Sequence, residues 1–335
     1  MKIIVVIPTF YASTQDDDNN IRYNLALETC RAIANANSNN DSDSGNTDFV
    51  LQGLIVDASP DETVRQSMFD AGKGHIKVVK QTYQGKKGAA LREGIALAAA
   101  AAAAAAGGGG GGGGNPEKEA ATLLSSSTTT TATVNQEQEE NVSINNNNNN
   151  NIIVIAFQEP EKVDMIRYWK TLGKKMVQEN ADLGVPIRTD DSFRSTYPIE
   201  QYHSEQFANH YLNALAKRAS TTTTSSTTSS SSSSSSVAEI DWTMGPIAFT
   251  TNMACHWIQY HGDLWDMQLV PLVRAQRWYS AKLTTIPVDY QHPVQMKEEE
   301  SGIPEWSEKR LFQLEYLFQY VGKAFKETSD PSSLG

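Results

Sequence analysis

Three short apolar runs, Lys2–Ile7 (KIIVVI), Phe49–Val56 (FVLQGLIV) and Ile152–Ala156 (IIVIA), constrain the fold most. Each has strand length and β-branched content without polar alternation, the pattern of strands covered on both faces. Between the first two lies Ile21–Ala36, with Ile21, Leu25, Leu27, Cys30, Ile33 and Ala34 spaced as on an amphipathic helix. Strand, helix, strand is a βαβ opening. A helix over Glu62–Ala71, a short strand over His75–Lys80 and a helix over Ala89–Ala98 continue the rhythm.

From Ala98 to Asn151 the chain turns to alanine, glycine, Ser/Thr and asparagine tracts. Such composition buries too little apolar area to offset its ordering entropy, which predicts a disordered insertion; excising it joins the helix ending near Ala98 to Ile152. Beyond Ile152 the pattern predicts helices over Val163–Asn180 and Ile199–Arg218, with Gly184–Tyr197 as a loop. A Ser/Thr excursion at Ser220–Ser236 precedes a turn at Met244–Gly245–Pro246, a strand at Ile247–Thr250 and a helix at Asn252–Tyr260. Asp263 then stands as a cap for a helix over Met267–Trp278, followed by a strand over Lys282–Tyr290 and a helix over Lys309–Phe325.

Of the 335 residues the tracts leave one generous domain, and a net charge of −11 without a Lys/Arg cluster argues against duplex nucleic acid and anionic membranes. The two cysteines, Cys30 and Cys255, lack metal-site spacing and read as buried thiols in a reducing compartment. With no signal-peptide pattern and no apolar stretch of about 18 residues outside the alanine run, the expected location is cytoplasmic, without a transmembrane segment.

The chemistry concentrates at Ile152–Met165 (IIVIAFQEPEKVDM). Pro160 ends a strand ladder, and Glu159 and Glu161, two apart in extended chain, project to one side past a strand's carboxyl end, where open α/β sheets bind ligands. Two such carboxylates suit a hard divalent cation; alternatively they are solvated acids opening a helix. The Asp57–Thr63 loop offers acids and hydroxyls to a base or ribose, or merely an N-cap at Ser59. In Gln81–Gly88, Gly85 and Gly88 permit close backbone approach, and Lys86, Lys87 and Arg92 place cations beside a helix N-terminus, which suits phosphate; a solvated basic turn is the plain alternative. His292, at a strand end, stands as a third metal ligand or an ordinary hydrogen-bonded histidine. Tyr197, Trp242 and Trp265 are candidates to stack on a ligand's ring, or core aromatics.

The order of these features resembles a family 2-type glycosyltransferase with the GT-A fold. The matching pieces are Pro8-Thr9, Asp57-Ala58-Ser59 with Asp61 and Thr63, the Gly85–Leu91 turn, a hydrophobic strand ending in paired acids, Trp265-Asp266 before a helix, and a strand leading to His292. Glu159-Pro160-Glu161 stands where that family usually carries Asp-x-Asp. The resemblance implies an α/β, GT-A-like (Rossmann-like) mostly parallel sheet flanked by helices. Residues 1–97 would form its nucleotide-binding half, 98–151 an insertion, 152–219 the metal/diphosphate part, 220–236 a second insertion and 237–327 the acceptor side. It further implies transfer of a sugar from a nucleotide-diphosphate sugar to a hydroxyl acceptor, inverting and dependent on Mn²⁺ or Mg²⁺. Pro8, Thr9 and Asp57 would hold the nucleotide, Lys86, Lys87 and Arg92 the phosphates, Glu159 and Glu161 the metal with His292, and Asp266 would be the base. A non-catalytic nucleotide-sugar binder of the same fold and a low-complexity interaction module are the rival expectations.

Overall fold

The computed structural model describes residues 1–12, 17–38, 49–83, 86–106, 152–223 and 239–327. Its first half runs β1 (Lys2–Thr9), α1 (Asp17–Ser38), β2 (Val50–Asp57), α2 (Glu62–Ala71), β3 (Ile76–Lys80), α3 (Lys87–Ala106) and β4 (Ile153–Phe157). After a 3₁₀ turn at Val163–Met165 come α4 (Ile166–Glu179), β5 (Leu183–Arg188), α5 (Asp190–Thr196), α6 (Ile199–Thr223) and β6 (Ile247–Thr250). A second 3₁₀ turn, Thr251–Met253, leads to α7 (Ala254–Ile258), α8 (Asp266–Trp278), β7 (Leu283–Val288), α9 (Val294–Glu300) and α10 (Pro304–Ala324).

Among the described residues the strands form one seven-stranded sheet in the order β3-β2-β1-β4-β6-β5-β7, in which only β6 runs antiparallel to its neighbours, β4 and β5. The mostly parallel, helix-flanked α/β fold expected from the sequence is therefore the one observed. The chain builds β2 and β3 outward on one side of β1 and then places β4 on the other, so β1 and β4 flank the topological switch point. Because side chains alternate along a strand, Ile3, Val5 and Ile7 enter one core layer and Ile4 and Val6 the other.

Helix α4 covers one face through Ile166, Trp169, Leu172, Gly173 and Met176, at the spacing of one helical stripe. Helix α3 covers the opposite face and needs small residues to do so. A Cβ at Gly94 would lie 2.4 Å from Val6 Cγ1, and Ala98, Ala100 and Ala102 are buried. The alanine run at Ala98–Ala106 thus extends α3 rather than opening the insertion, with Ala98, Ala100 and Ala102 buried and Ala103–Ala105 exposed. The rest of the first expected insertion, 107–151, lies outside the described residues, as do Gly85 and, of the second, 224–236. Among described helices α3 alone is long and apolar enough to cross a membrane, and 61% of that window, Lys87–Ala105, is buried in the fold.

Three local expectations change. Gly184–Tyr197 is strand and helix rather than loop: β5 pairs with β7 in parallel, and the Thr189 hydroxyl accepts from Ser192 N to cap α5. Asp61, not Ser59, caps α2, accepting from Thr63 N at 2.9 Å. Asp263 does not cap α8; its carboxylate pairs with Lys86 at 3.3 Å and its carbonyl accepts from Gly88 N at 2.8 Å. Cys30 is buried as expected, whereas Cys255 is exposed on short α7.

Candidate functional site

The parallel strands deliver their carboxyl ends to one edge of the sheet. There a cavity of about 270 Å³ opens between the residues after β4, β5 and β7 and the walls formed by α8 and α10. Its chemistry begins at Glu159–Lys162, which is a turn rather than extended chain. Lys162 N donates to Glu159 O at 3.1 Å, with Pro160 at the second turn position, where its fixed φ fits. Gln158, buried after β4, holds this turn: its amide donates to Lys162 O at 3.1 Å and accepts from Trp169 Nε1 at 2.7 Å. The Thr29 hydroxyl donates to Pro160 O at 2.6 Å.

Turning the chain sends the two glutamates apart. Glu159 accepts from Lys87 Nζ at 2.6 Å and from Gln268 Nε2 at 3.2 Å through the same oxygen, Oε1. Burial disfavours its charge, but Lys87 and Lys162 prevail and bring its carboxyl down to about 2. Gly245, at φ +98°, is the floor beneath it; a Cβ there would lie 2.8 Å from Oε1 and 2.9 Å from Oε2. Glu161 turns instead towards Arg22, at 3.9 Å. Lys162 places its ammonium 5.3 Å over the Tyr290 ring, and its pKa is raised because Tyr197, Glu159 and Glu161 outweigh burial.

Below the cavity runs a buried network. Arg188, at the end of β5, donates to Asp241 through Nε at 2.7 Å and through NH2 at 2.8 Å, and to Glu205 at 2.9 Å. Its guanidinium lies 3.6 Å over the Phe193 ring. Glu205 also accepts from Gln201 at 2.6 Å, Gln201 accepts from Arg310, and Arg310 donates to Glu300 at 2.6 Å. Arg22 donates to the same Glu300 at 3.2 Å and closes the chain of alternating charge back to Glu161.

Buried polar atoms without a hydrogen-bond partner among the described residues include Glu159 Oε2, Tyr197 OH and His292 Nε2, all on residues lining the cavity. Clustered orphans of this kind mark a surface shaped for a polar ligand. His292 stacks on Tyr197 at 4.4 Å, and burial followed by Lys162, Arg310, Arg188 and Arg22 pushes its pKa down to about 3. It stands in the wall as a neutral imidazole.

The cavity thus unites Lys87, Glu159, Glu161 and His292 of the expected site residues, with Tyr197, Trp242 and Trp265. Pro8, Thr9, Asp57, Lys86, Arg92 and Asp266 do not line it. Asp57 is fully buried and takes Thr9 Oγ1 and Ser59 Oγ, each at 2.7 Å, and Arg65 NH1 at 3.0 Å, which ties the ends of β1 and β2 together. Lys86 is exposed beside Asp263, and burial lowers the pKa of Arg92 on α3. Asp266 is the largest departure: its carboxylate accepts from Tyr260 OH at 2.9 Å, Leu264 N at 3.0 Å and Tyr316 OH at 3.0 Å, so it locks the start of α8. Trp242 is a core residue whose Nε1 donates to Asn213 at 2.9 Å, while Trp265 is partly exposed against Phe312.

Arrangement of the expected metal ligands does not fit a divalent ion. One oxygen of Glu159 is taken by Lys87, Glu161 faces Arg22, and His292 sits among cations. Among the described residues no group of three or more His, Cys, Asp or Glu is placed to hold a metal. Sequence reasoning missed Arg22, Gln268, Arg310 and Glu300, which lie on four different helices and carry no local motif.

No protein-family model and no curated protein matches the chain. Among solved structures, CMP:2-keto-3-deoxy-manno-octonic acid synthetase complexed with CTP is similar over 95% of this chain and 100% of that chain. That likeness stands at 10% identity with a TM-score of 0.36.

Proposed function

We propose that the protein is a GT-A-type glycosyltransferase that moves a sugar from a nucleotide-diphosphate sugar to a hydroxyl acceptor. The observation that carries this reading is the mixed-charge cavity at the carboxyl edge of a parallel sheet, where Lys87, Lys162 and Arg22 meet Glu159 and Glu161 beside the switch point. Cations there suit the diphosphate. In an inverting transfer the acceptor oxygen bonds to the anomeric carbon as the bond to the diphosphate breaks, the electron pair leaving with the diphosphate. A carboxylate must take the acceptor proton.

Among the cavity's carboxylates, Glu159 is held by Lys87 and Gln268, Glu205 by Arg188 and Gln201, and Glu300 by Arg22 and Arg310. Among the described residues Glu161 has a single ion-pair contact, to Arg22 at 3.9 Å, and it replaces Asp266 as our candidate base. The rival reading, a binder without chemistry, is favoured by the occupied oxygens of Asp266 and the doubly occupied Oε1 of Glu159. Release of nucleoside diphosphate from a panel of nucleotide-sugars, with and without sugar or lipid-alcohol acceptors, separates the two. Transfer that falls at least about a hundredfold in Glu161→Gln supports the base assignment; undiminished turnover removes it. Tight binding without any release, with every acceptor, supports the binder.

A further inference from the structure

We propose that the diphosphate subsite works without a divalent cation, the ammonium groups of Lys87 and Lys162 taking the metal's electrostatic role and Glu159 serving as their counterion until ligand arrives. The proposal deepens the nucleotide-sugar reading and rests on it.

Geometry carries it. Lys87 is the first residue of α3, and its ammonium reaches into the cavity to Glu159. Lys162 approaches from the far end of the Glu159 turn, and Arg22 stands behind Glu161. The two lysines carry the same charge that one divalent ion would supply, and they hold it on side chains anchored to secondary structure. A metal would have to enter against Lys87, which sits 2.6 Å from Glu159 Oε1, with Gln268 on the same oxygen. What Glu159 has left is Oε2, pressed against Gly245, far short of the six or more oxygens that a hard cation collects unless ligand and water supply nearly all of them. A diphosphate, by contrast, needs only to take Lys87 from Glu159 and to meet Lys162.

The two schemes differ in sign at Glu159. If Glu159 is a metal ligand, neutralising it weakens diphosphate binding; if it is a competing counterion, neutralising it strengthens binding. The probe is inorganic pyrophosphate, titrated calorimetrically into the full chain in EDTA and again in MnCl₂, with MnCl₂ alone as a separate titration. The expected results are binding in EDTA that Mn²⁺ changes by less than about threefold and several-fold tighter binding in Glu159→Gln. Lys87→Met should weaken binding about tenfold or more, the loss of one charge-assisted hydrogen bond, while Lys87→Arg retains it. Thermal melting of each variant establishes that it is folded, and Lys87→Arg keeps the test open if Lys87→Met is not. Binding only in MnCl₂, saturable binding of Mn²⁺ alone that Glu159→Gln abolishes, or weaker binding in Glu159→Gln would each overturn the proposal and leave the nucleotide-sugar reading standing. Failure of pyrophosphate and of every nucleotide-sugar to bind in either buffer would remove that reading itself.

Discussion

Arg188 offers the sharpest test of how the cavity floor is held. Replacing it with Met keeps the stem volume and deletes a guanidinium that engages Asp241 twice and Glu205 once, at 2.7 to 2.9 Å, with side-chain exposure of 1% for Arg188 and 4% for each acid. The loss strands two buried carboxylates. Breaking a buried pair in this way costs about 3–5 kcal/mol, and the lost contact over Phe193 adds about 1–2 kcal/mol. We expect urea denaturation at pH 8, followed by circular dichroism, to show a loss of about 5 kcal/mol. At pH 5 the loss should shrink. In the variant Asp241 stays buried without the guanidinium that holds its pKa down, so burial raises it, and that part of the penalty fades as the proton arrives. The triple variant Arg188→Met, Asp241→Asn, Glu205→Gln should recover more than half, because no charge remains to be stranded. A single-variant loss below about 1 kcal/mol, or a triple variant no better than the single, would refute the reasoning.

Other expectations follow from the same geometry. His292 holds its pKa near 3, well below its ordinary value, so the unfolded chain binds its proton first and stability falls as pH drops from about 6.5 towards 3; His292→Gln should flatten that limb, read by melting temperature against pH. Gly245→Ala combines a left-handed φ with contacts under 3 Å to both Glu159 oxygens; it should cost about 1–3 kcal/mol of stability, read by thermal melting, whereas a fully stable variant would contradict the assigned floor. Cys255 should react with a thiol reagent in the native protein, while Cys30, buried and pushed up to about 12, should react only on unfolding. Asp266→Asn should act mainly on stability, losing about 1–2 kcal/mol with little change in turnover; a selective collapse of kcat would restore it as the base.

The extent to which the site was legible varied with its dependence on local chain. The βαβ opening, the sheet's parallel character and the placement of the Glu159 stretch past a strand end all follow from apolar runs and a single proline, because burial on two faces leaves a pattern that neighbouring residues carry themselves. Lys87 belongs to the same class, being one residue of a basic turn that opens a helix. The β5 and α5 elements were not legible, since GVPIR and TDDSFRST read as loop until parallel pairing with β7 and the Thr189 cap give them partners.

The sequence by itself determined the α/β class, the order of the main strands and the location of the chemistry, through periodicity, turn residues and composition that act over a few positions. Tertiary structure decided what each charge does. Glu159 and Glu161 stand two apart in sequence, yet the turn at Pro160 points one at Lys87 and the other at Arg22. Asp57 and Asp266, which resemble ligand-binding acids in their motifs, are consumed by Arg65, Tyr260 and Tyr316 from elsewhere in the fold. A carboxylate's role depends on which partners desolvation forces upon it, and those partners are brought together only when distant helices close over the edge of the sheet.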